Sequence, residues 1–371
     1  MKHVSAYLDW YVHVPKVKYD FRSSGLTSFR YSLKFDDADL SVNYAYGNPE
    51  VVKLLAERYG VKPENIFVSS EGASGQNARI IRCIAERSRR KCEAIVEYPT
   101  YEPLLRQVQE HFPRVKRLER DEQKAYGVDG DCLRRIVSDK TGLLVLTNPH
   151  APSSAVLSKA ELSEVMAVAQ EFGFYVLCDE IYAEFSRENI PTVFAVNEEF
   201  GITTTSFTKA YGLGGIKLGV ALANEKLVKE FYTDTLSTVG NAPNIVQLVA
   251  VELLTRGKEA LESHMRKWEP AKREMEEWLE QKGYEHFPNR AGVTYWVKLP
   301  INDTLKWVNE HAVPKHSLAA VPGAFFLYRK GYETVKSNRV RLGLGNINPE
   351  KTSIKKALEA LETAVKAYAN R

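Results

Sequence analysis

Cysteine is scarce in this chain: Cys83, Cys92, Cys132 and Cys178 are the only four in 371 residues, with no CxxC pair and no regular spacing. That excludes a disulfide framework and a thiolate zinc site, and leaves reduced thiols in a cytoplasmic protein as the expectation. An excess of either charge is also missing, because 51 Lys and Arg stand against 47 Asp and Glu. A net charge of +4 makes no case for a nucleic-acid or anionic-membrane binder, so any basic site must be local. No apolar run approaches the length of a membrane span, and 1-MKHVSAYLDWYVHVPKVKYD-20 lacks the unbroken apolar core of a secretion signal. Internal repeats and low-complexity tracts are absent too. These absences predict a soluble, cytoplasmic protein with neither a nucleic-acid nor a membrane partner, and no metal site.

The composition that remains is ordinary for a globular chain, with 44% hydrophobic and 26% charged residues, and the length suits two or three domains. After an aromatic and basic arm to about residue 40, patterned helices alternate with short apolar runs, the mark of α/β architecture. The stretch 49-PEVVKLLAERYG-60 opens on Pro and closes on Gly, as a helix should. The runs 66-IFVSS-70, 94-AIVEY-98, 142-GLLVLT-147 and 174-FYVLCDE-180 are predicted buried strands, and 158-SKAELSEVMAVAQEFG-173 a helix with Ser158 and Glu161 as a capping box. Continuous apolar strands between helices imply a parallel sheet covered on both faces, with ligands bound beyond the carboxyl ends of the strands. From about residue 251 the texture changes to a long charged helix over roughly 257–283, the runs 292–299, 317–326 and 338–345, and a closing amphipathic helix. The predicted division is a large domain at 41–250 and a smaller α+β domain made of 1–40 and 251–371.

The strand ends carry the candidate chemistry. Strand 66–70 runs into 71-EGASGQNARI-80, where bare backbone N–H groups and the Ser74 hydroxyl would face an anion. Strand 174–178 delivers Asp179 and Glu180, followed by Tyr182; a carboxylate there pairs with a cationic ring nitrogen or caps a turn. In 99-PTYEP-103, Tyr101 is a stacking platform or a packing residue. The stretch 203-TTTSFTKAYGLGGIKLG-219 fails as a dinucleotide loop, since its glycines do not give GxGxxG and no clear helix follows. A lysine in that tight, hydroxyl-rich loop, Lys209, beside a second cation, Lys217, suits covalent chemistry: a lowered amine pKa and a Schiff base with an aldehyde cofactor. Ser206 and Lys217 would then serve a phosphate.

Taken in order, GAS, YPTYEP, NPHAP, DEIY, SFTK with GLGGIKLG, PGAFF and VRLGLG resemble the class I/II aminotransferases, fold-type I pyridoxal-5′-phosphate enzymes, over roughly residues 44–345. The resemblance implies a large, mostly parallel-sheet domain beside a smaller α+β domain. It implies Lys209 as the Schiff-base lysine, Asp179 as the partner of the pyridine nitrogen and Tyr182 as donor to the phenolic oxygen. Tyr101 would stack on the ring, while Ala73 through its N–H, Ser74, Ser206 and Lys217 would bind the phosphate. A tyrosine of a partner subunit in a homodimer, Tyr44 or Tyr46 of 43-NYAYG-47, would complete that shell, and Arg341 would take the substrate carboxylate. Two departures stand out. The loop 148-NPHAPSSAV-156 has Ala151 where the family has asparagine, and Lys217 replaces an arginine. The implied activity is transfer of an amino group between an L-amino acid and a 2-oxo acid. The alternatives are another pyridoxal-phosphate reaction, such as a lyase, cyclase, racemase or oxidase, or a non-catalytic module. The N-terminal arm with Tyr7, Trp10, Tyr11 and 22-RSSGLTS-28 either lines the pocket or packs.

Overall fold

The computed structural model describes residues 5–35, 38–88, 90–186, 190–329 and 335–369; positions 1–4 and 36–37 of the expected N-terminal arm lie outside that range. Its strands are β1 (Tyr19–Phe21), β2 (Ile66–Ser69), β3 (Glu93–Tyr98), β4 (Arg114–Glu119), β5 (Thr141–Thr147), β6 (Tyr175–Asp179), β7 (Gly201–Ser206), β8 (Gly219–Leu222), β9 (Thr294–Lys298), β10 (Leu318–Pro322) and β11 (Arg339–Gly343). A seven-stranded sheet has the order β2-β8-β7-β6-β5-β3-β4, and a four-stranded sheet the order β1-β10-β11-β9. Among the described residues no helix is long and apolar enough to cross a membrane.

Helices cover both faces of the large sheet, which is why its central strands read as unbroken apolar runs: every residue of β5 and β7 is buried. The capping box at Ser158 and Glu161 forms as predicted and starts the Lys159–Phe172 helix. The sheet is not wholly parallel, however. β8 runs antiparallel to both β2 and β7, because the glycine-rich loop before it reverses the chain with no crossover helix. β4, too, escapes the apolar pattern, being an edge strand with only Leu118 of RVKRLE buried.

The expected long helix over 257–283 is two helices, Lys258–Arg266 and Glu269–Gln281. Pro270 is the cause: it lacks the N–H that would reach the Arg266 carbonyl and its ring crowds that oxygen, so it sits in the first turn of a new helix. The four-stranded sheet draws on both ends of the sequence. β1 of the N-terminal arm pairs in parallel with β10, and β11 lies antiparallel between β10 and β9, with Arg341 opposite Trp296.

One buried ion pair fixes strand ends at the rim. On β3, Glu97 receives Arg120 Nη1 at 2.8 Å and the Thr147 amide at 3.0 Å. Arg120 also donates to the carbonyls of Tyr126 and Thr147, at 2.6 and 2.9 Å. Thr147 Oγ1 in turn accepts the Ala151 amide at 2.8 Å, so the network orders the loop after β5 as well. Both charges are fully enclosed. Arg120→Met should therefore lower stability by about 3–5 kcal/mol by stranding Glu97, and urea unfolding of the cofactor-free protein measures it.

Candidate active site

The loop between β7 and β8 is pinned at both ends. Ser206 pairs with Gly219 where the strands meet. Position 219 admits no side chain, since a Cβ there would lie 2.6 Å from the Gly72 carbonyl oxygen. Lys217 adopts a left-handed conformation, φ 56°, and its carbonyl accepts the Gly72 amide at 2.6 Å. This joins the loop to the start of the Gly72–Arg87 helix.

Inside the loop, Lys209 is strapped down by the N-terminal arm. Leu26 N donates to the Lys209 carbonyl at 2.8 Å, and Gly25 packs so closely that a Cβ would stand 2.8 Å from Lys209 Cδ. Lys209 Nζ donates to the Ser24 hydroxyl at 3.3 Å. Burial depresses the amine pKa below that of an ordinary lysine; Arg341 and Lys217 push the same way, against Tyr7 and Asp179.

β6 carries Asp179 to the rim, 7% exposed. Its Oδ2 accepts Asn77 Nδ2 at 2.8 Å and its Oδ1 accepts the Ile181 amide at 3.1 Å. Asn77 Oδ1 accepts Thr204 Oγ1 at 2.6 Å, so helix and sheet together orient the carboxylate. Burial raises the Asp179 pKa, while these hydrogen bonds and Lys209 act to lower it. The neighbouring Glu180 serves another purpose. It accepts from Val193 N and Thr203 Oγ1 at 3.1 and 3.2 Å, and burial pushes it up to about 8.

An anion-binding corner lies at the start of the Gly72–Arg87 helix, which has no side-chain cap because Glu71 turns to an ion pair with Arg79. Ala73 is buried and Ser74 exposed there. The Lys217 side chain passes over Gly72 and makes no ion pair among the described residues. Ser206 Oγ and Thr208 Oγ1 are 2.5 Å apart on the β7 side of the loop. Bare helical N–H groups, hydroxyls and an ammonium without an ion pair among the described residues could together hold an anion.

Arg341 of β11 is 2% exposed and has no carboxylate partner among the described residues. Its Nη2 donates to the Arg22 carbonyl at 2.8 Å and to Tyr7 OH at 3.1 Å, and its Nε has no partner. The Tyr7 ring lies edge-on to Tyr101, centroids 5.7 Å apart, and also contacts Phe325 at 5.7 Å. Burial raises the pKa of both Tyr101 and Tyr182, with each tyrosine influenced by Arg341 and Asp179. Nearby, Arg22 is neutralised by a two-point contact with Asp20, 2.8 Å at each oxygen.

The structure thus sets Lys209, Tyr101 and Tyr182 each within electrostatic reach of Asp179 and Arg341, and the Ser206–Gly219 pairing and the Gly72–Lys217 hydrogen bond join β7, the loop and the start of the Gly72–Arg87 helix, where Ala73 and Ser74 lie. Of the two candidate tyrosines, Tyr46 lies against Tyr232 of its own chain, centroids 4.1 Å apart and rings tilted by 33°, and Tyr44 is half-buried. Asn77 and Thr208 were not anticipated, and Ser24 only as part of 22-RSSGLTS-28, expected either to line the pocket or to pack. For Asn77 a signal existed, one helical turn beyond Ser74 on a helix aimed at the rim; for Ser24 nothing local singled out the residue that meets Lys209. The Ala151 position gains no donor from its neighbour. Both His150 ring nitrogens are engaged, by Ser153 Oγ at 2.7 Å and the Pro99 carbonyl at 3.0 Å, and burial holds its pKa well below the usual value.

Residues 38–361 match the model of the family described as aminotransferase class I and II. The chain belongs to that family. Among curated relatives, a histidinol-phosphate aminotransferase of Methanococcus aeolicus is 24% identical over 216 residues, 58% of this chain and 56% of the relative. An aromatic amino acid aminotransferase of Rhodococcus erythropolis is 33% identical over 137 residues, 35% and 38% of the two chains. The matched stretch therefore spans little more than half of the first and less than half of the second. Among solved structures, a pyridoxal-phosphate-dependent aminotransferase from Streptococcus suis has a TM-score of 0.84 at 24% identity, covering 99% of this chain and 98% of its own. A Thermus thermophilus aspartate aminotransferase double mutant has a TM-score of 0.80 at 20% identity, covering 98% and 97%. These likenesses establish an aspartate-aminotransferase-like fold. The family's cofactor is pyridoxal 5′-phosphate.

The depressed amine has a direct readout. In competitive acylation of the cofactor-free aminotransferase-family protein, the Lys209 peptide should reach half-maximal reactivity at a lower pH than the bulk of its lysines. Labelling of Lys209 in step with surface lysines would contradict its placement.

Proposed function

We propose that this protein is a pyridoxal-5′-phosphate-dependent aminotransferase moving an amino group between an L-amino acid and a 2-oxo acid. The observation that carries the reading is Arg341, a buried guanidinium with no carboxylate partner among the described residues, within electrostatic reach of an amine with a depressed pKa. A carboxylate delivered by a substrate supplies the missing counter-charge by a planar two-point contact.

The other roles are those that the family resemblance implies. Ala73 N–H, Ser74, Ser206 and Lys217 would hold the cofactor phosphate, Tyr101 would stack on its ring, Asp179 would keep the ring nitrogen protonated, and Tyr182 would donate to the phenolic oxygen. When bound, the cofactor carries the substrate nitrogen and acts as an electron sink that makes the Cα–H bond acidic. Lys209 Nζ would serve as the base, since its lowered pKa favours the neutral amine that can take up the substrate Cα proton. Where Nζ then gives up that proton would decide between amino transfer and racemisation.

A second reading, a lyase, cyclase, racemase or oxidase on the same scaffold, is favoured by Ala151, which stands where the family has an asparagine donor. Dependence of oxo-acid release on an added acceptor oxo acid separates the two. The substrate side chain should be uncharged. Arg22 is already satisfied by Asp20, and aromatic rings surround Arg341, so aspartate and glutamate should be poorer substrates than phenylalanine or tyrosine.

We further propose a cytoplasmic homodimer, with 41–250 as the large domain and 1–40 plus 251–371 as the small one. Support comes from the four free cysteines and from the exposed Leu40, Leu236, Val239 and Ile245. Tyr44 is the tyrosine that reaches the partner's phosphate, since Tyr46 is committed to Tyr232. Sedimentation of a fully active monomer would refute the dimer, and phosphate affinity lost in Tyr46→Phe but kept in Tyr44→Phe would reverse the choice.

Lys209→Ala should abolish turnover but still bind the cofactor reversibly, and borohydride should fix the cofactor of the parent protein to the Lys209 peptide alone. Arg341→Ala should weaken amino-acid binding by about 2–5 kcal/mol, with Arg341→Lys recovering part of it. A purely structural arginine would instead lower the melting temperature and leave the affinity of the folded fraction unchanged.

A further inference from the structure

The five N–H donors of the buried Arg341 guanidinium are unevenly used. Nη2 gives one hydrogen to the Arg22 carbonyl at 2.8 Å and the other to the Tyr7 hydroxyl at 3.1 Å, while Nε has no partner. Both two-point faces of a guanidinium, Nε with Nη2 and Nη1 with Nη2, include Nη2. A carboxylate that makes a two-point contact therefore sets one oxygen at Nη2, where it must share a hydrogen with one of the two acceptors already present. The Arg22 carbonyl belongs to the backbone and cannot turn aside. The Tyr7 hydroxyl can rotate about its C–O bond. Having accepted from Arg341, it also keeps its own hydrogen, which it donates to no group among the described residues.

We propose that Tyr7 is a second carboxylate-binding residue, whose hydroxyl donates to the ligand oxygen that Arg341 holds at Nη2. The inference rests on the reading of Arg341 as the group that takes the substrate carboxylate, and adds what selects an anion over a neutral group of the same shape. Two unused donors, Arg341 Nε–H and Tyr7 O–H, stand at one enclosed place. A carboxylate lying across Nε and Nη2 satisfies both, with one oxygen at Nε and the other between Nη2 and Tyr7. Tyr7 and Arg341 are 5% and 2% exposed, so little water competes there and a hydrogen bond to the ligand's charge is strengthened. The ring is held independently of the hydroxyl. It lies against Tyr101 and Phe325, with centroids 5.7 Å away in each case, and against Phe326 at 6.0 Å. The Ala6–His13 helix that carries it is tied down at two points: its cap, Ser5, bonds Glu102, and Trp10 Nε1 donates to Asn309 Oδ1 at 2.8 Å. A ring so enclosed keeps its place when the hydroxyl is removed, which makes Tyr7→Phe a test of one hydrogen bond.

Calorimetric titration of the full-length protein as purified tests this with two probes: 3-phenylpropanoate, a carboxylate without an amino group, and its neutral amide, 3-phenylpropanamide. The parent should prefer the carboxylate. Tyr7→Phe should bind the carboxylate about tenfold to a hundredfold more weakly, as expected for a lost hydrogen bond to a charged group, with its amide affinity little changed. A tyrosine that only packs would leave carboxylate affinity at the parent's level or lower both affinities alike. A hydroxyl that merely occupies Arg341 until a ligand evicts it would give a variant that binds the carboxylate more tightly. Each of these results would overturn the proposal. Should Tyr7→Phe fail to fold, Tyr7→Leu also removes the hydroxyl, and the ratio of carboxylate to amide affinity, in which lost ring contacts cancel, should fall by the same factor. Arg341→Ala tells failure of the inference from failure of the reading beneath it. If that variant loses carboxylate binding while Tyr7→Phe keeps it, Arg341 retains its role and Tyr7 does not. If Arg341→Ala binds the carboxylate like the parent, or the parent itself shows no preference for the carboxylate, both are overturned.

Discussion

Taking a charge out of water costs several kcal/mol unless hydrogen bonds or a counter-charge replace the lost hydration. Lys209, Asp179 and Arg341 are enclosed together on terms that do not meet this cost. Burial lowers the lysine, raises the aspartate, and leaves the arginine with one N–H unpaired. An apolar core would have been easier to build. The protein instead spends secondary structure on holding the three groups apart and oriented: β6 for Asp179, the β7–β8 loop for Lys209, β11 for Arg341.

That division explains why both ends of the chain meet at the site. Asp179 and Lys209 belong to the seven-stranded sheet and Arg341 to the four-stranded one, so the distance between them depends on how the two sheets pack. The N-terminal arm is what crosses. β1 pairs with β10, and the strap that follows it bonds to Arg341, Lys209 and Gly345 in turn. The small sheet and the lysine are therefore tied to one another through the hydrogen bonds of this strap.

Much of the site was legible because its residues stand directly after strands with a strong apolar signal. Asp179 follows four residues of β6, and Tyr101 follows the Pro99 that ends β3. Lys209 was legible as chemistry because a hydroxyl-rich, glycine-rich loop has no other reason to enclose a lysine. What escaped had no local pattern. β4 was missed because an edge strand alternates weakly. The reversal into β8 was missed because antiparallel pairing is decided by loop geometry, not by the strand's composition. Pro270 did carry a signal, and the charged periodicity around it obscured a break that proline in a first turn makes routine. Ser24 lies 185 residues from Lys209, so although 22-RSSGLTS-28 was a candidate lining segment, no periodicity could say which of its residues meets the lysine.

The incomplete compensation also sets how the protein responds to its ligands. A phosphate at the Gly72–Arg87 helix start, a cationic ring nitrogen at Asp179 and a carboxylate at Arg341 would each supply a charge that the polypeptide leaves out. Each would bind the folded state and not the unfolded chain, so stability rises with ligand concentration as RT ln(1 + [L]/Kd). The sign of the pH response follows from the same groups. A raised Asp179 pKa means the cofactor-free fold is favoured while that carboxyl is protonated and loses the contribution as pH rises through the folded value. A cation bound beside it lowers that pKa and removes the loss. The instability of the empty site and its affinity for charged ligands are thus one free energy viewed from two sides, and a substitution that relieves the first must weaken the second.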